Sequence, residues 1–262
     1  MNYPTYFDDI RDIRMAMIDP SGVTDEQLQQ WIQDAERVGD QWMRTQLARL
    51  LVKTRRGHEV WGHIVLGWLY QAAKKKSWWT DELVTVMLEG WPDLFVNSSM
   101  GASVGEIHPQ GVAQGLLNAI QSGQIFARDI PNIWISRLVA AADRGSMFER
   151  HAVAEFLAVA RAGETRWGLK VLEWLRRMEH SDSTWKARMV KLLVKGWPNL
   201  IASRYGLESL DIDREQLAQA VSIALLKGWL QKEDLPHALI HFLQNHGQHQ
   251  VHVLQSHASI SR

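Results

Sequence analysis

The pentapeptides Gly90-Trp91-Pro92-Asp93-Leu94 and Gly196-Trp197-Pro198-Asn199-Leu200 stand 106 positions apart and belong to a longer register. Comparing residues 38–98 with 144–204 at that offset, without a gap, gives 19 identities in 61 positions. Among them are Gly39/Gly145, Arg44/Arg150, Gly57/Gly163, Trp61/Trp167, Gly62/Gly168, Trp68/Trp174 and Trp79/Trp185. After a one-residue deletion the match continues, with Val112-Ala113-Gln114-Gly115 against Leu217-Ala218-Gln219-Ala220. Residues Gly228 to Leu243 then mirror Gly123 to Leu138. Such self-similarity constrains a chain more than its composition does, because both copies must suit one local structure. The expected organisation is one continuous domain: a cap over 1–22, units over 23–125 and 126–230, and a partial third unit over 231–262 that carries a His-rich tail.

Within each copy the apolar spacing is helical. Leu28, Trp31, Ile32 and Ala35 fall at i, i+3, i+4 and i+7, and Leu83, Val86 and Met87 follow the same rule. No segment alternates apolar and polar residues as a strand would. The prediction is an all-α chain of about 10–11 helices. A unit this long exceeds a tetratricopeptide or a single HEAT repeat. It resembles the HEAT-like α-solenoid class, and that resemblance implies a right-handed helical-repeat array burying a continuous seam. Trp61 and Trp68, seven apart, share one helix face, and Trp167 and Trp174 repeat it, which predicts core. The Gly-Trp-Pro triplets read as helix stops: a left-handed glycine after the last turn, tryptophan folded back near Val86 or Leu192, and a proline that ends the helix. The longest loops are expected at 97–108 and 203–213.

Twenty-nine acids balance 29 bases, so no global charge selects nucleic acid or membrane. Absence of cysteine excludes disulfides, thiolate metal sites and cysteine nucleophiles. The opening MNYPTYFDDIRDIR carries acids where a signal peptide needs bases. With no apolar run long enough to span a bilayer, a cytoplasmic protein is expected.

Motifs for chemistry are sparse. His58 and His63 are five apart and do not share a helix face, unlike the histidines of a zinc-protease helix. Gly101 and Gly105 lack the lysine of a phosphate loop. Six of the 11 histidines fall near the end: His237, His241, His246, His249, His252 and His257. His237 and His241, at i and i+4, have metal-ligand spacing, although no full ligand set accompanies them. No cofactor and no small-molecule site are expected.

Charge distribution says more than net charge. Residues 44–76 carry eight bases (Arg44, Arg49, Lys53, Arg55, Arg56, Lys74, Lys75, Lys76) against Glu59 alone, and residues 161–204 carry ten bases against four acids. Helix-end bases and solvated faces explain part of this. Lys76-Ser77-Trp78-Trp79, followed by an acid, resembles a stretch of the AlkD-type DNA glycosylases. That resemblance implies a HEAT-like solenoid with a basic concave surface for duplex DNA. The family's lesion-site aspartate lies four residues after the tryptophan pair; Leu83 stands there, behind Asp81 and Glu82, so the resemblance does not extend to the catalytic position.

Two binding functions therefore stand ahead of an enzyme of unsupported class. The first is a non-enzymatic scaffold or adaptor for a partner protein, using aromatics that the copies do not share: Tyr70, Trp78 and Trp134. The second is a nucleic-acid-binding solenoid with Arg49, Lys53, Arg55 and Arg56 on phosphates.

Overall fold

The computed structural model describes residues 4–178, 182–202 and 214–244. Among these residues it contains α-helices and short 3-10 turns only, with no strand. The described helices number fifteen rather than ten or eleven, and they form two compact units, Met1–Gly145 and Ser146–Arg262.

The first unit contains α1 (Pro4–Ile18), α2 (Asp25–Val38), α3 (Gln41–Arg55), α4 (Glu59–Lys74), α5 (Thr80–Gly90), α6 (Pro92–Asn97), α7 (Ser99–Ile107), α8 (Pro109–Gln121) and α9 (Asn132–Arg144). Helix starts follow from capping side chains: the Thr24 hydroxyl accepts from the Gln27 amide at 3.3 Å, and Gln27 reaches back to the Thr24 amide at 3.0 Å. α5 packs on α3, α4 and α8, and α7 packs on α4 and α9. Leu47, Leu51, Val65, Trp68, Leu83, Met87, Phe95 and Leu116 fill the core between them.

The second unit contains α10 (Met147–Ala160), α11 (Thr165–Arg177), α12 (Ser183–Gly196), α13 (Pro198–Ala202), α14 (Arg214–Leu226) and α15 (His237–Gln244). α12 is its centre, packed on α10, α11 and α14. Val153, Phe156, Val171, Trp174, Met189 and Leu193 are buried there. Trp61, Trp68, Trp167 and Trp174 are all core residues, as the stripe predicts. Local structure recurs as well. α5 and α12 both end at the glycine of a Gly-Trp-Pro triplet, and the 3-10 turns Ala127–Asp129 and Lys232–Asp234 hold matching places.

The triplets stop one helix, as expected, and open the next at a corner. Gly90 and Gly196 do not adopt the left-handed conformation; Gly57 (φ 78°) and Gly163 (φ 80°) do, and their amides donate to the carbonyls of Gly90 at 3.1 Å and Gly196 at 2.8 Å. Gly90 and Gly196 serve close approach instead. A Cβ on Gly90 would lie 2.9 Å from Val52 Cγ2, and one on Gly196 would lie 3.0 Å from Ala158 Cα. Trp91 (φ −144°, ψ 58°) and Trp197 (φ −140°, ψ 58°) break the helix for one residue. Pro92 and Pro198 then open α6 and α13, a first-turn place where the missing N–H costs nothing. Each tryptophan reaches across to the first turn of another helix, α4 or α11. Trp91 Nε1 donates to the His58 carbonyl and Trp197 Nε1 to the Glu164 carbonyl, both at 3.0 Å, and each ring lies over a glycine, Gly62 or Gly168.

The expected loop at 97–108 is helical over α7. The Ser98 hydroxyl accepts from the Gly101 amide at 2.9 Å, and a Cβ on Gly105 would stand 3.2 Å from the Trp134 ring. The small residues that suggested a loop admit a closely packed neighbour. The expected loop at 203–213 lies outside the described residues, as do His246, His249, His252 and His257.

Candidate functional site

The four bases expected to hold phosphates all lie in the first unit, and three are tied to it. Arg49 pairs with Glu82 of α5. Lys53 Nζ donates to the Met17 carbonyl at the end of α1, at 2.9 Å. Arg55 Nε donates to Asp25 Oδ1 at 2.7 Å, and its NH2 reaches the Val23 carbonyl at 3.2 Å. Only Arg56, exposed at the C-terminus of α3, has no such tie. These residues join α3 to α1, α2 and α5, so what reads as a strip of free cations acts largely as a set of struts.

The aromatic candidates separate in the same way. Trp134 is 3% exposed, edge-on to Phe95 with ring centroids 5.7 Å apart; it fills the space over Gly105 and offers no surface. Tyr70 is half-buried, with Lys74 Nζ 4.7 Å from its ring centroid. Trp78 is 75% exposed. Its ring stacks on that of Trp79, with centroids 3.6 Å apart and planes 29° apart. Below it, the Ser77 hydroxyl accepts from the Trp79 amide at 3.3 Å, and the Ser77 carbonyl accepts from the Thr80 hydroxyl at 2.6 Å. Lys76 turns the chain into this segment through a left-handed φ of 50°. The indole is thus displayed on an ordered turn, next to the exposed Lys74, Lys75 and Lys76.

Behind that turn, His108 Nε2 lies 2.6 Å from Asp81 Oδ1. This hydrogen bond holds the Asp81 carboxyl below its ordinary range, against the opposing effect of burial. Leu83, at the place where the DNA glycosylases carry their aspartate, is fully buried among α5 core residues.

In the second unit, residues that single-residue motifs did not mark come together. Trp185 of α12 receives the edges of Phe148 at 5.0 Å and His151 at 5.3 Å, both from α10. The Arg188 guanidinium lies 4.8 Å from the Trp185 centroid and 5.4 Å from that of Trp229, which lies just beyond α14. His151 is pushed below its ordinary range, first by burial and then by Arg188 and Lys191, with Glu155 opposing. The signal that could have found this group is the repeat register. Trp185 corresponds to Trp79, but Arg188 replaces Glu82 and Glu155 replaces Arg49, so the charges are exchanged between the helices.

His237 and His241 stand on α15 with exposed side chains, and no group of three metal-ligand side chains forms among the described residues. No described helix is long and apolar enough to cross a membrane. Comparison with protein-family models, curated proteins and solved structures returned no match.

Proposed function

We propose that this chain is a non-enzymatic helical-repeat scaffold that binds a partner protein, with Trp78 as the anchor in its first unit. The packed, all-helical architecture is compatible with a helical-repeat class, whose surfaces mostly serve binding. The observation that carries the reading is the exposed indole of Trp78, stacked on Trp79 and so already ordered before any partner arrives. Tryptophan is enriched among the residues that dominate interface energetics. Covering an indole of this exposure would remove on the order of 150 Å² of apolar surface from water, worth roughly 4 kcal/mol. Lys74, Lys75 and Lys76 beside it favour a partner with an acidic rim around an apolar pocket.

The test is cross-linked capture from nuclease-treated native lysate, comparing the natural chain with Trp78→Ala at matched thermal stability. A protein retained by the first and lost by the second is the expected result. Equal capture by both would remove Trp78 as the anchor. A nucleic-acid reading centred on Arg49, Lys53 and Arg55 has less support, because those side chains already hold Glu82, the Met17 carbonyl and Asp25.

A further inference from the structure

We infer that the outer face of α12 is a binding strip for single-stranded nucleic acid, with Arg188, Lys191 and Lys195 on phosphates and Phe148 and Trp229 stacking on unpaired bases. α12 carries four bases and no acid. Lys186 is buried and bonded to Gln216, which leaves three for the outside. Arg188, Lys191 and Lys195 fall at i, i+3 and i+7, hence on one helix face. Arg188 and Lys195 are exposed and Lys191 is half-buried. Among the described residues, none of the three is held in an ion pair, in contrast to Arg49 and Arg55 of the first unit. On α10, His151 feels Arg188 and Lys191 together with the acid Glu155, while Glu149 caps the start of that helix.

The aromatic groups distinguish this strip from a solvated basic helix. Trp185, half-buried, is contacted by Phe148, His151 and Arg188, so it positions its neighbours. The rings with surface to spare are Phe148, 53% exposed, and Trp229, half-buried with the Arg188 guanidinium over it and the exposed Lys227 and Lys232 nearby in sequence. Sequence-tolerant strand binding uses this combination: cations that follow the backbone, rings that accept base faces, and an arginine able to stack. A duplex hides its base faces, so the rings favour an unpaired strand. From Trp185 to Lys195 the strip is about 15 Å long, room for only a few nucleotides.

The experiment is fluorescence anisotropy of a labelled oligothymidylate of roughly 12 nucleotides, within the range of such sites, titrated with the full chain across a salt series. Three phosphate contacts predict a slope of log K against log salt near −2, at about 0.7 per contact for single strands. Arg188→Gln, Lys191→Gln and Lys195→Gln should each make that slope shallower by about 0.7. Phe148→Ala or Trp229→Ala should weaken binding roughly 5- to 150-fold at an unchanged slope. Trp78→Ala should leave the titration unaltered, which separates this result from the partner-protein reading. No binding at low salt, equal binding of duplex or polyglutamate, or full retention by the triple variant would each overturn the inference. Loss of binding in Trp78→Ala would also overturn it, by placing the site elsewhere.

Discussion

A single methyl group at residue 62 or 168 tests how closely the triplet corners are packed. A Cβ on Gly62 would sit 2.7 Å from the Trp91 ring, and one on Gly168 would sit 2.7 Å from the Trp197 ring. Gly62→Ala and Gly168→Ala should therefore each destabilise the fold by about 1–3 kcal/mol. Gly67, five residues further along α4, has nothing within 4 Å of the same position. Gly67→Ala should stabilise by about 0.5–1 kcal/mol through helix propensity alone. Chemical denaturation of the three variants checks the contrast, and a uniform effect would overturn it. Trp174→Ala, at a fully buried site, should cost about 3–5 kcal/mol on the same measurement. The buried stripe that includes Trp174 could be read from spacing, because Trp61/Trp68 and Trp167/Trp174 keep the same seven-residue interval. Trp134 could not. Its burial depends on the room above Gly105, a contact between residues that no periodicity joins.

At the scale of the element, α10 and α12 place His151 where its charged form is disfavoured by burial and by Arg188 and Lys191. Its folded pKa lies below the ordinary value of 6.5, so the unfolded chain takes up the proton first. Stability supplied by the neutral imidazole is present above that value and is lost as pH falls through it. His151→Gln should flatten the decline in stability between about pH 7 and 5, measured by denaturation at each pH; an unchanged slope would show that other groups govern that limb. Helices as elements were legible, since period and capping residues mark them. Their joints were less so. Glycine in GWP and in 98–107 suggested turns, yet in both places it admits a neighbouring side chain or backbone, and the left-handed glycines are Gly57 and Gly163. The basic segment 44–76 misled for a similar reason: Glu82 and Asp25, which hold Arg49 and Arg55, lie outside it in sequence.

For the whole molecule, each compact unit encloses its own buried set, around Trp68 in Met1–Gly145 and around Trp174 in Ser146–Arg262. A chain ending at Gly145 should keep a helical circular-dichroism spectrum and melt cooperatively, whereas a featureless spectrum would make the first unit dependent on the second. Thirteen tryptophans make bulk fluorescence a poor witness to any one of these events. The Trp78–Trp79 pair is different. Two indoles 3.6 Å apart couple their electronic transitions, so the turn carries its own optical signature in the form of a paired circular-dichroism band. Trp78→Phe would erase that band, giving the first unit an unlabelled, built-in reporter of whatever settles on it.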